Sequence, residues 1–382
     1  VRPRHLNKHI TALPDGYRSA PMPAAVQAAS LATPLDLVVA SDGTVWVAAF
    51  GSSAVGRFAV GALRDDTFTP DPAAQVAVSG GGPCGLALDE ARGRLYVLTR
   101  FDNAVKVVDT AAGAEIAAHP LHDPEPPAVR DGRPLLYDAR FTSSNGEAAC
   151  ASCHVFADLD SLAWDLGNPD DVVLPNPNPR GPIGGNQPFH PLKGPMTTQT
   201  LRGMAHGGPM HWRGDRTGGS AGGDPLDERL AFETFNVAFD GLLGRDEGEI
   251  PAADMRRFAD FILAVQMPPN PVRALDNRLD AAQQRARNLY FGRPTDGVAN
   301  CDGCHTLDPS RGFFGSGGET TFENEPQEFK VAHLRNAYAK VGMFGMPDVP
   351  FLDLPPASRL HHGEQVRGFG YLHDGSIATV RD

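Results

Sequence analysis

A chain of 382 residues, 41% hydrophobic and 21% charged, has the make-up of a globular protein long enough for two or three domains, which excludes a single small domain. Its formal charge of −12 argues against nucleic acid and for small neutral or basic partners. No stretch approaches the roughly 18 consecutive apolar residues of a membrane helix, which excludes a transmembrane segment.

Two segments near the start repeat: "PLDLVVASDGTVWVAAFGSSAVGRFAV" from Pro34 and "PCGLALDEARGRLYVLTRFDNAVKVVD" from Pro83, a period of 49 residues. Each predicts an apolar strand and a turn, at Ser41-Asp42-Gly43 or Ala91-Arg92-Gly93. An alternating strand carrying Trp46 or Tyr96 follows, then a polar turn and another alternating strand, Val55 to Val60 or Val105 to Val108. Repeats of this length with three or four short antiparallel strands are the pattern of propeller blades. Two blades cannot close a ring, so either further blades belong to the ring or the strands form a smaller sheet; an incomplete propeller is the expectation, with both chain ends reading as truncated. Residues 30–115 resemble bacterial "YVTN"-type propeller repeats. Cys84, in "GGPCGLALD", reads as a small buried hydrophobe.

The proline-rich stretch from Pro120 to Arg133 predicts a domain boundary. Beyond it the pattern turns helical. "RPLLYDARF" leads into Cys150-x-x-Cys153-His154, and "LDAAQQRARNLYFG" leads into Cys301-x-x-Cys304-His305. Between them "ADMRRFADFILAVQM" reads as a strong helix that stops at Pro268 to Pro271, and "DLGNPDDVVLPNPNPRGPIGGNQPFHP" as an inserted loop. The expected organisation is multidomain: propeller-like β blades over 1–120, then a mainly α region of two cytochrome-c-like units, 121–270 and 271–382.

Cys-x-x-Cys-His is the attachment signal for covalent c-type haem, because thioethers to both cysteines bring the adjacent His to the iron. Two copies predict two haems c, with His154 and His305 as proximal ligands. Such haem is attached outside the bacterial cytoplasm, so a periplasmic or exported protein is expected. The residue opposite each proximal His decides between electron transfer and chemistry at an open iron. His190, His206 and His211 are the candidates for the first haem. Met343 and Met346, in "KVGMFGMPDVP", are those for the second.

Both haem motifs, "GPMTTQTLRG", "MHWRGDR", "FKVAHLRN" and "YLHDGS" together resemble the bacterial di-haem cytochrome c peroxidase superfamily, which includes the di-haem enzyme of methylamine utilisation. The resemblance covers residues 130–382. It implies that the first haem reduces hydrogen peroxide and that the second transfers electrons, taken from a small electron-donor protein or cytochrome. It also implies a displaceable ligand at His190, 22 residues before Trp212, and a relay at Trp212 itself. The family's distal acid, which moves a proton between the peroxide oxygens, has candidates in Glu228, Glu233 and Asp240, with Glu233 assigned the role. The family's Met ligand usually lies beyond the His-Asp-Gly motif, which leaves Met343, Met346 or a residue past Asp382 for that role. Calcium between the haem units would fall at Thr197 or Thr198, where the family has Asn, and His373 reads as structural. A pure electron carrier, and an oxidase that modifies a partner protein docked on the propeller, are the alternative functions.

Overall fold

The structure, a computed structural model, describes residues 2–19, 21–178, 187–295, 297, 299–308, 315, 320–322, 327–335, 337 and 372–375. The repeat folds as two four-stranded antiparallel meanders. The first runs β1 (Pro34–Val39), β2 (Thr44–Ala49), β3 (Ala54–Ala59) and β4 (Gln75–Ala77). The second runs β5 (Pro83–Asp89), β6 (Arg94–Thr99), β7 (Ala104–Asp109) and β8 (Ala114–Pro120). Gly43 and Gly93 close the first turn of each at positive φ, +84° and +60°, where a Cβ would be strained. Val60 does not extend β3: it opens the short helix Val60–Asp65.

Alternation along the strands sorts the side chains between faces. Trp46, Val55 and Val76 of the first sheet meet Leu95, Val97 and Val108 of the second in one buried cluster. Val45, Val47 and Phe58, on the far face of the first sheet, pack with Leu31 and Phe68. The second sheet is covered on one face only, so Tyr96 and Leu98 stay 36% and 38% exposed where their repeat counterparts Trp46 and Ala48 are buried. Among the described residues the sheets form no closed barrel or ring. Cys84 lies on β5, half-buried rather than enclosed, with its thiol on the Leu98 carbonyl at 3.6 Å.

The helix Pro127–Tyr137 starts with a proline in its first turn, where the missing N–H costs nothing. It is fastened to the second sheet by Glu125, which accepts from Arg100 (2.5 Å) and from buried Arg133, while Arg133 also donates to the Arg100 carbonyl (2.7 Å). Tyr137 packs edge-on against Phe50 at 5.0 Å. Asp138 ends this helix and caps the next, Ala139–Thr142, by accepting from the N–H groups of Arg140 and Phe141. The helix Ala252–Ala264 crosses at Gly132, where a Cβ would lie 2.6 Å from the Arg257 carbonyl oxygen.

The chain forms two compact units, one of Val1–Phe156 with Phe235–Ile262 and one of Ala157–Thr234 with Leu263–Asp382. The proline-rich stretch 120–133 lies inside the first. The second holds the helix Ala281–Gly292, whose Asp280 and Gln283 cap each other reciprocally. It also holds two small antiparallel pairs, β9 (Ala163–Trp164) with β10 (Met196–Thr197), and β11 (Thr320–Phe322) with β12 (Glu328–Lys330). No described helix is long and apolar enough to cross a membrane.

Candidate functional site

In the first unit the chain enters Cys150 through a tight bend. Asn145 Oδ1 accepts the N–H groups of Glu147 and Ala148 (2.9 and 3.0 Å), and Gly146 has φ +66° with the Gln27 carbonyl where a Cβ would go. Cys150–Ser152 is a single helical turn. It closes when the His154 N–H donates to the Cys150 carbonyl at 2.9 Å. Burial pushes the Cys150 thiol up to about 12. Directly after His154, Val155 and Phe156 leave apolar side chains 40% and 55% exposed.

The second motif repeats this geometry. Cys301–Cys304 is one helical turn, capped by Asn300 Oδ1, which accepts the Gly303 N–H at 2.7 Å, and His305 N–H donates to the Cys301 carbonyl at 2.8 Å. Tyr290 Oη donates to the His305 carbonyl, while His305 Nδ1 lies 2.5 Å from the Ala332 carbonyl. A carbonyl can only accept, so Nδ1 carries a proton, which in a neutral ring leaves the lone pair on Nε2. That is the tautomer a metal-ligating His adopts when its other nitrogen is held by a backbone carbonyl. None of the five cysteines is in a disulfide. Both turns therefore fit thioether attachment of haem.

The residues expected around the irons are divided between the two units. His190 is exposed, and its Nδ1 accepts the Leu192 N–H (3.1 Å), which leaves the proton of the neutral ring on Nε2. His206 is exposed at φ +61°. His211, at φ +64°, has Nδ1 2.7 Å from Asp215 Oδ1. Burial lowers the His211 pKa in spite of Asp215. Burial alone would raise the Asp215 carboxyl, but His211, Lys193 and Arg213 hold it well below the usual carboxylate range. All three histidines belong to the second unit, whereas His154 belongs to the first. Met343 and Met346 lie outside the described residues.

Trp212 is pinned at both ends. Its indole Nε1–H donates to the Thr197 carbonyl (2.7 Å), and its own carbonyl accepts the Lys330 N–H (2.8 Å). Thr197 N–H in turn donates to the His373 carbonyl (2.6 Å), and the buried His373 ring stacks on Phe329 at 3.9 Å. His373 thus has a structural place. Thr197 Oγ1 is buried without a partner, but one hydroxyl is far from the six to eight oxygens that calcium takes. Among the described residues no group of three or more His, Cys, Asp or Glu side chains gathers. Among the described residues, the side chain of Thr197 alone does not make a calcium site.

Of the three acids, Glu228 is the one tied to the His206–Trp212 loop. Its carboxylate accepts the Gly208 N–H (3.1 Å), and burial raises its pKa against the pull of that backbone and of His206. Glu233 is half-buried at the end of the same short helix, and Asp240 is exposed in the first unit. Lys330 and Asp215 belong to this network too. A lysine and an aspartate within "FKVAHLRN" and "HWRGDR" could have been flagged as charges inside apolar or glycine-rich runs.

No family model and no curated protein matches the chain. Among solved structures it is similar to two chains of hydrazine synthase from Kuenenia stuttgartiensis. One is 22% identical with a TM-score of 0.20, over 23% of this chain and 23% of that one. The other, from hydrazine synthase pressurized with 20 bar xenon, is 19% identical with a TM-score of 0.40, over 68% of this chain and 78% of that one. The chain thus spans under a quarter of the first neighbour's length.

Proposed function

We propose that this chain is a periplasmic or exported di-haem c-type cytochrome that reduces hydrogen peroxide with electrons from a small donor protein. The observation that carries the reading is the pair of matching turns, in which each His N–H returns to the first Cys carbonyl (2.9 and 2.8 Å), with His305 held by Ala332 in the ligand tautomer. Cys150 and Cys153, and Cys301 and Cys304, would hold the two haems by thioethers, with His154 and His305 as proximal ligands. When bound, the haems supply an iron for peroxide reduction and a second that stores and passes electrons.

The chain's own residues supply the rest. Trp212, fixed at its indole and its carbonyl, is held in one orientation, as an electron relay must be. A raised carboxyl pKa suits Glu228 for donating a proton near neutral pH, so it is better placed than Glu233 for acid–base work. The exposed His190 sits where a ligand could leave without unpacking a core. The net charge of −12 favours a basic electron donor, and the two stacked sheets would serve as propeller blades.

Electron paramagnetic resonance on the as-isolated and half-reduced protein, with peroxide added to each, tests this. A high-spin signal in one state and a peroxide-induced spectral change are expected. Low-spin haem throughout with no response to peroxide would leave a pure electron carrier in its place.

A further inference from the structure

Strand β12 joins two groups that are far apart in sequence. At Lys330 its N–H holds the Trp212 carbonyl (2.8 Å), and the Lys330 ammonium reaches the Pro209 carbonyl (2.8 Å). One residue therefore grips the Pro209–Trp212 segment at two points. Two residues on, the Ala332 carbonyl holds His305 Nδ1 at 2.5 Å. On the other side of the segment, Trp212 is anchored to Thr197 and, through it, to His373, whose ring lies on Phe329 of β12. Burying an ammonium is costly unless it is compensated. Lys330 is only 7% exposed, and burial lowers its pKa to about 8 although Asp215 pulls the other way. A Met of similar length would fill the space without that cost, so the amine is retained for its bond.

We propose that Lys330 is a positioning residue that clamps the Pro209–Trp212 segment to β12, thereby fixing the Ala332 carbonyl on His305 and coupling the Trp212 segment to the proximal ligand of the second haem. The inference rests on the di-haem reading above. The hydrogen bond on the far nitrogen of a ligating His raises its basicity and tunes the metal it holds. Loosening β12 would weaken that bond and make His305 a poorer donor, which would favour the reduced state of an iron held there.

The test uses the full haem-loaded chain with Lys330→Met and Lys330→Arg, followed by haem content, redox titration of each haem, and low-spin resonance signals. Lys330→Met is expected to keep both haems and to shift the reduction equilibrium of the second about tenfold toward the reduced form, which is ~59 mV for one electron. The first haem should not move, and Lys330→Arg should restore the second. Unchanged potentials in a folded, two-haem Lys330→Met protein would overturn the inference. Should that variant not fold, Trp212→Phe takes away the indole bond to Thr197 that anchors the same segment. The same upward shift then supports the clamp, and an unchanged potential with both haems in place overturns it. A wild-type chain without haem would instead sink the di-haem reading itself.

Discussion

The two Cys-x-x-Cys-His turns close with the same bond from the His N–H to the first Cys carbonyl, yet they are held in different ways. The helix leading to the first, Pro127–Tyr137, buries Leu135, Leu136 and Tyr137 and is tied to a β-sheet through Glu125. The helix leading to the second, Ala281–Gly292, buries no side chain and leaves Leu289 44% exposed. The first turn is fixed by packing. Polar contacts from Asn300, Tyr290 and Ala332 fix the second. The difference teaches that one motif can be preorganised by a core and another by a hydrogen-bond cage, with different sensitivities to mutation and pH.

The largest effect should come from the packed turn. Leu136 is fully buried, so Leu136→Ala is expected to destabilise the first unit by about 2–5 kcal/mol. Denaturant unfolding followed by hydrogen exchange should show the loss in Val1–Phe156 and little change in the second unit. An equal loss in both would erase the contrast.

A smaller effect, confined to the second unit, should come from pH. Lys330 has a folded pKa of about 8 against an ordinary 10.5. Between those values the unfolded chain still holds a proton that the folded chain has released, so this group adds stability as pH rises from 8 toward 10.5, and the full cost of its burial is felt below 8. Comparing wild type with Lys330→Met over that range isolates the contribution. The slope should vanish in the variant, and a slope that persists would place its origin elsewhere.

The two sheets were legible because a period of 49 residues and strict alternation at Trp46 and Tyr96 are local signals. The helices before both motifs were legible for the same reason. Val60 read as strand but starts a helix, since its apolar character fits either element until the turn at Asp66 (φ +63°) stops the chain. Cys84 read as buried because its neighbours are apolar, whereas the face of β5 and β6 that it joins is only partly covered. The ties from Lys330 to Trp212 and from Ala332 to His305 were not legible: each joins residues distant in sequence through a backbone carbonyl, which no side-chain pattern encodes. The choice between Glu228 and Glu233 turned on one bond to Gly208, equally invisible to spacing.

The central claim is that both turns carry covalent haem. Mass measurement of the protein expressed with c-type haem maturation, beside Cys150→Ser/Cys153→Ser and Cys301→Ser/Cys304→Ser variants, tests it most directly. The account predicts the added mass of two haems in the wild type and of one in each double variant, still attached after denaturation. A wild-type mass equal to the bare 40.6 kDa polypeptide would contradict it.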